Sequence, residues 1–427
     1  MEHLLHYTWK HKLFPLKLLQ TTDGIPVEIL DPGLHNSDAG PDFFNAKLKI
    51  GGVLWVGNIE IHTHSSDWYR HGHDKDKAYD SVILHVVEDA DVEVRGHNGE
   101  TIPQLLLTCP QHVKLHYREL CEADRYPACY FMLGHLSKLT IHSWLTALQT
   151  ERLEQKSKQI ADRLKYCNYN WEDAFFITIA RNFGFGLNGD AFEWWAKQLP
   201  FRALDKHRND LFQIEAFFFG QAGLLGEAFL KKEEEDEYGV GLRKEFHYLQ
   251  KKFDLSQTMD PSQWRFLRLR PDNFPHIRLA QLAYLYQHVD SFFSKMMEAE
   301  TLKDLHELLS TRTSNYWKEH YRFGRSSTLK DKILGENSKN LLVINTVIPF
   351  LYAYGLHKSA PQLCDRAFRF LEEMKPENNH IIREWSNAGL PVESAADSQA
   401  LIQLRKEYCD QRKCLYCRFG YEYLRKT

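Results

Sequence analysis

The chain has 427 residues, with 54 lysines and arginines against 57 aspartates and glutamates and a formal net charge of −3. That balance excludes a globally basic nucleic-acid coat, so DNA or RNA would have to bind through a local patch. Hydrophobic residues at 43% and charged residues at 26% fit a soluble globular protein with room for two or three domains. The 22 histidines are an excess, and the 8 cysteines are too sparse for a disulfide framework. Free thiols or a metal site in a reducing cytoplasm are expected. The opening "MEHLLHYTWKHKLF" has no uninterrupted apolar core or cleavage site, and no segment approaches about eighteen uninterrupted apolar residues, so no membrane span is expected.

The character changes near residue 110. Glu2 to Leu19 has helical spacing, with a break expected near Pro15. Val27 to Leu30 suits a strand closed by "DPG". Phe43 to Ile50 alternates Phe44, Ala46, Leu48 and Ile50 against Asn45, Lys47 and Lys49, the signature of a half-buried strand. Gly51-Gly52 makes a turn, and Val53 to His62 returns as the second arm of an antiparallel hairpin. His64 to Asp80 is long enough for a crossover, and "SVILHVVED" suits a buried strand. "DVEVRGHNGETIPQLLL" suggests a further hairpin about "HNGE". After Pro110 the spacing predicts helices over Leu136–Tyr166, Trp171–Phe183, Ala191–Gln198, Asp210–Leu225, Tyr238–Lys252, Ile277–Ala299, Thr301–Leu309, Ser338–Tyr354 and Ser398–Tyr408. The charge run Lys231 to Glu237 reads as a solvated helix end or loop. The small residues of "IEAFFFGQAGLLGEAFL" predict close helix packing, and "LLVINTVIPFLYAYG" a buried helix. The expected fold is α+β, with a small mixed-sheet domain at 1–110 and a mainly helical domain at 111–427.

The hairpin carries the first candidate site. Glu60 and His62 are two apart on one strand and share a face. With the turn at Gly51-Gly52, position 42 pairs with 60 or 61, so Asp42, Glu60 and His62 can meet at one end of the sheet. Paired carboxylates attract a divalent cation, and hard oxygen ligands suit Mg²⁺ or Mn²⁺. Such an ion activates water and offsets charge on a phosphate. The bland alternative is a hairpin whose acids bond backbone groups or lysines. "IHTHSSDWYRHGHD" adds His64, His71 and His73, so that with His62 a zinc hydrolase site is a second reading. His85, inside an apolar strand, reads as a core histidine by default, and it can also face the centre from the adjacent strand.

A helix, a strand, a strand opening on Pro41-Asp42, a strand carrying Glu60-Ile61-His62, a crossover and another strand resemble the PD-(D/E)xK nuclease superfamily. The resemblance implies a metal at Asp42 and Glu60, with His62 in the place of the lysine that usually attends the attacking water. Glu2 would correspond to an acidic residue that some members carry on the first helix. Over nearly its full length, through "GPDFFNAKL", "GNIEIHTHSSDW", "HGHDKDKAYDSVILHVV", "IEAFFFGQAGLL", "RPDNFPHIRLAQLA", "SQALIQL" and "YCDQRKCLYC", the chain also resembles an uncharacterised bacterial family, domain of unknown function 2851. This implies a bacterial cytoplasmic protein and supplies no activity.

Cys409, Cys414 and Cys417 follow C-x4-C-x2-C, a spacing that can converge on Zn²⁺ or an iron–sulfur cluster. The fourth ligand stays open among Cys364, His380, Cys109, Cys121 and Cys129; otherwise these are packed thiols. Some nucleases resembling the expected fold close an iron–sulfur cluster with one distant and three C-terminal cysteines. Here no cysteine precedes the candidate nuclease core. In "WRFLRLRPDNFPHIRLAQLAYLY", Arg265, Arg268, Arg270 and Arg278 alternate with aromatics, a pattern for gripping phosphates and stacking bases, or for a helix with a solvated basic face. Two readings result: a metal-dependent nuclease acting on DNA or RNA, and a non-catalytic helical binding or scaffold protein with a structural metal site.

Overall fold

The computed structural model describes residues 2–15, 19–36, 38–226, 236–255 and 258–426. Most of the charge run Lys231 to Glu237 lies outside them; its last two residues open a helix that Asp236 caps. The chain forms two compact units, each described by itself. Unit 1 comprises 1–144, 383–390 and 404–427; unit 2 comprises 145–382 and 391–403. Unit 1 thus reaches past residue 110 and takes back the C-terminal segment, because the closing helix Arg418–Leu424 packs on a helix that follows the sheet.

Unit 1 opens with helix α1 (Glu2–Lys10), which buries Leu4, Leu5, Tyr7, Thr8 and Trp9. It stops well short of Leu19. Lys12 adopts a left-handed φ of 48°, and its Nζ bonds the carbonyls of Ile29 and Leu30 at 3.2 and 3.1 Å. A six-stranded mixed sheet follows: β1 (Val27–Asp31), β2 (Leu34–His35), β3 (Phe43–Ile50), β4 (Val53–His64), β5 (Val82–Asp89) and β6 (Gln104–Leu106). Strands β1, β3 and β4 form an antiparallel meander, β2 pairs with the start of β3, and β5 and β6 add in parallel on the far side of β4. Short helix α2 (Asp67–Arg70) and two 3₁₀ turns make the crossover from β4 to β5.

The alternation in β3 is broken at one point. Ala46, Leu48 and Ile50 are buried as expected, but Phe43 is buried in place of Phe44. Phe43 opposes Ile59 while Ala46 opposes Gly57, so Phe44 and Asn45 together face the single residue Asn58. This is a β-bulge, with Asn45 at a left-handed φ of 56° and its N–H bonded to Asn58 Oδ1 at 3.1 Å. The expected second hairpin is a turn with one bridge, Arg95 to Thr101. Its returning arm becomes β6, parallel to β5.

Helices α3 (Gln111–Glu122) and α4 (Tyr130–Leu133) follow, and α5 (Lys138–Tyr166) runs on into unit 2. Unit 2 is mainly helical, with a two-stranded ribbon over His320–Arg322 and Arg325–Ser326 and with α6 (Trp171–Phe183), α7 (Gly189–Lys197), α8 (Phe201–Lys206), α9 (Leu211–Gln221), α10 (Glu237–Phe253) and α11 (Pro275–His288) at its centre. Asn170 and Asp210 cap α6 and α9 through side-chain oxygens. Phe217, Phe218 and Phe219 of α9 are fully buried, and a Cβ at Gly220 would stand 2.2 Å from the Phe246 ring, so α9 and α10 meet through a glycine. The helix expected over Ile277–Ala299 divides at Ser291, whose φ is 48°, and resumes over Phe292–Glu298. The helical run Glu336–Lys358 is long and apolar enough to cross a membrane by composition. Its fully buried Leu342, Val343, Val347, Ile348, Phe350 and Leu351 belong to the unit 2 core, as the sequence predicts.

Candidate metal centre

Strand parity alone would set Asp42 opposite Ile61, on the wrong face for Glu60. The bulge shifts the register by one residue, and beyond the Phe43–Ile59 pair Asp42 comes abreast of Glu60. The Asp42 N–H donates to Glu60 Oε2 at 3.1 Å, and the Ile61 N–H donates to Asp42 Oδ2 at 2.9 Å. Both carboxylates are largely out of water, with side-chain exposures of 23% for Asp42 and 6% for Glu60.

Histidines surround them. His6 of α1 sets Nε2 3.4 Å from Asp42 Oδ2. His62 Nε2 and His73 Nε2 lie 3.5 and 3.2 Å from Glu60 Oε1. His71 Nδ1 is 3.2 Å from His62 Nε2, and His62 Nδ1 is 2.9 Å from His85 Nε2. One ring nitrogen from each of His62, His71 and His73 falls within 4.8 Å of the other two. Tyr79 stacks on His73 with centroids 3.8 Å apart. The crossover places His71 and His73: Gly72, at a φ of 77°, turns the chain between them so that both rings swing toward β4.

The electrostatics divide the carboxylates. Burial works to raise the Asp42 pKa, but the hydrogen bond and charge of His6 and the Ile61 N–H hold it below the usual range. Glu60 is pushed up by burial and by the Asp42 charge, against the pull of His73. Burial, with the neighbouring His85, His73 and His71, brings His62 down to about 3, so it is neutral near pH 7. His85 is likewise brought down to about 3 by burial and His73. A neutral His62 that gives its one N–H to His85 turns the lone pair of Nε2 toward Glu60 and His71. The convergent donors are the three imidazoles, with Glu60 Oε1 beside two of them and Asp42 linked to Glu60 through its N–H. Carboxylates alone suit Mg²⁺ or Mn²⁺, whereas added imidazoles favour Mn²⁺, Zn²⁺ or Fe²⁺.

The predicted residues Asp42, Glu60, His62, His71 and His73 all meet here. His64 does not: it sits at the exposed end of β4 and pairs with Asp89 at 3.4 Å. Two contributors escaped the sequence reading, His6 and Tyr79. Their signals were faint: His6 is one of several polar residues on a short mixed helix, and Tyr79 closes a charged crossover. His85 faces the centre, the second of the two roles that the sequence allows it.

The arginine segment corrects the expectation for Arg278. Its guanidinium is buried, bonded to Gln281 Oε1 at 2.9 Å and Asn273 Oδ1 at 2.5 Å, and lies 4.4 Å over the Phe185 ring. It braces α11 and has no face to offer a phosphate. Arg265, Arg268 and Arg270 are exposed, on irregular chain between two 3₁₀ turns. Trp264 is buried and bonded to the Ala222 carbonyl at 2.8 Å, so it is not a stacking platform.

Cys409, Cys414 and Cys417 line one cavity of unit 1 together with Cys121 and Cys129. Of the other candidates for a fourth ligand, Cys109 directs its sulfur to the Pro110 carbonyl, while Cys364 and His380 belong to unit 2.

Fold and site together define an α+β protein with an acid–histidine centre at the junction of an antiparallel meander and a parallel strand. Residues 2–380 match the family described as Protein of unknown function (DUF2851), and the chain belongs to that family. Comparison with curated proteins and with solved structures finds no match.

Proposed function

We propose that the protein is a metal-dependent hydrolase of phosphodiesters in DNA or RNA, with its centre at Asp42, Glu60, His62, His71 and His73. The observation that carries this reading is the mutual clasp of Asp42 and Glu60 beneath three histidines. Two close acids, Glu60 buried and Asp42 half-buried, that have no lysine or arginine partner among the described residues raise each other's energy, and a cation relieves it. The order of helix, antiparallel meander, crossover and parallel strand, with the acids at its heart, supports a likeness to PD-(D/E)xK nucleases.

A bound divalent ion would lower the pKa of its water and offset charge on the phosphate. The chain's own groups do the rest. Asp42 and Glu60 would hold the ion, and His6 keeps the charge of Asp42. His71, the exposed member of the group, would add an imidazole nitrogen to the ion's coordination. His73 Nε2 lies 3.2 Å from Glu60 Oε1 and would fix that carboxylate, while the Nε2 lone pair of His62 faces the same point. The imidazoles favour Mn²⁺ or Zn²⁺ over Mg²⁺.

The test is degradation of single- and double-stranded DNA and RNA by the full chain with Mg²⁺, Mn²⁺ or Zn²⁺, compared with Asp42→Asn and Glu60→Gln. Metal-dependent cleavage that both substitutions abolish supports the reading. Cleavage equal in all three proteins, or none with any ion, overturns it and leaves the non-catalytic scaffold as the better account.

A further inference from the structure

The cavity that gathers the cysteines has a volume of about 150 Å³ and takes in five of the chain's eight cysteines. The cavity is partly open, and Cys129 and Cys417 in its wall are buried while Cys121, Cys409 and Cys414 are half-buried. Three elements deliver the sulfurs. Cys121 ends α3, Cys129 precedes α4, and the C-terminal turn brings Cys409, Cys414 and Cys417. Gly420 lets the last helix press onto that turn: a Cβ there would stand 2.1 Å from the Cys414 carbonyl oxygen. The same turn aims the N–H groups of Phe419 and Gly420 at the Cys417 sulfur. Cys129 has Cys417, Cys409 and Cys414 as electrostatic neighbours, whereas Cys121 neighbours Cys414 and Tyr117.

We propose that Cys129, Cys409, Cys414 and Cys417 hold an iron–sulfur cluster in this cavity. The choice between a single ion and a cluster follows from spacing. A tetrahedral zinc, with Zn–S near 2.3 Å, draws its sulfurs to within about 3.8 Å of one another. Among the described residues no three cysteine sulfurs lie within 4.8 Å of each other, although the histidine group does. A cluster spreads its thiolates over separate irons and accepts the wider set. Arg125 and Arg412 in the wall would offset the negative charge of a thiolate-bound cluster.

The test uses the full chain purified without oxygen after growth with iron. Wild type is expected to carry iron and acid-labile sulfide with broad visible absorption. Cys129→Ser and Cys414→Ser should lose all three, while Cys121→Ser and Cys364→Ser keep them. Circular dichroism shows whether each variant is folded. For any that is not, alkylation of the native wild type before and after chelation gives the assignment. Cys129, Cys409, Cys414 and Cys417 should be protected until the metal is removed, and Cys364 should not be. Zinc without sulfide, absence of metal, or a cluster kept in Cys129→Ser and lost in Cys121→Ser overturns the proposal. None of these outcomes depends on nuclease activity.

Discussion

Asp42 and Glu60 are tied to each other's strands: the Asp42 N–H binds the Glu60 carboxylate, and the Asp42 carboxylate binds the N–H of Ile61, next to Glu60. Each acid therefore fixes the position of the other. Asp42→Asn or Glu60→Gln keeps the shape and much of the bonding but removes a ligand charge. Each should lower metal-dependent cleavage by about 100-fold or more, on the scale of losing a positioned acid–base group. Rates under saturating Mn²⁺ check this, with thermal unfolding showing that both variants fold.

His71 and His73 reach the centre from the crossover, apart from the hairpin. Removing either as alanine should weaken Zn²⁺ or Mn²⁺ binding by about 10-fold or more while changing Mg²⁺ binding little, because imidazole is a poor ligand for Mg²⁺. Titration calorimetry with each ion would show it. Equal losses for all three ions would mean that the histidines act on the fold and not on the metal.

The bulge at Asn45 sets the register on which the centre depends. Asn tolerates the left-handed φ there and a β-branched residue does not. Asn45→Val should cost about 1–2 kcal/mol of stability and weaken metal binding by letting Asp42 slip toward Ile61. Urea unfolding and metal titration measure the two effects. Stability lost with metal affinity intact would separate the bulge from the site.

Glu215 gives a pH dependence of stability in unit 2. It is fully buried, accepts from the Tyr238 hydroxyl at 2.6 Å and the Trp317 indole N–H at 3.2 Å, and burial pushes its pKa from 4.5 up to about 7. Between those values the native state holds a proton that the unfolded chain has lost. Stability contributed by the protonated acid is complete below about pH 4.5 and declines as pH rises toward 7. The decline is up to about 3 kcal/mol. Glu215→Gln should flatten this window, as melting temperatures across it would report. An unchanged profile would place the titration elsewhere.

Arg278 and the exposed Arg268 should separate two kinds of effect. Arg278→Met removes a buried brace and should lower stability, by about 1–3 kcal/mol, through the partners it leaves unpaired. Arg268→Ala should leave stability within about 0.5 kcal/mol. If nucleic acid uses the exposed arginines, Arg268→Ala weakens binding and reduces its salt dependence, which fluorescence anisotropy at several salt concentrations would detect.

Much was legible in the chain. Two-residue alternation about Gly51-Gly52 predicts the hairpin, and helical spacing predicts most of unit 2, since both periodicities arise from local backbone geometry. The breaks were less legible. Nothing in Phe43-Phe44 says which phenylalanine is buried. The end of α1 at Lys10 depends on bonds from Lys12 to β1, a contact distant in sequence.

Which residue types could carry chemistry was settled by the sequence alone: Asp42, Glu60 and a dense set of histidines near one hairpin, and three cysteines near the end. Which of them meet was decided by tertiary structure. A one-residue bulge brought Asp42 to the face of Glu60, the crossover delivered His71 and His73 while leaving His64 outside, and the return of the C-terminus set Cys129 beside Cys409, Cys414 and Cys417. The reason is physical: strand parity and helix period are properties of neighbouring residues. Register shifts, crossovers and chain returns are fixed by burial and hydrogen bonds between segments far apart in the chain.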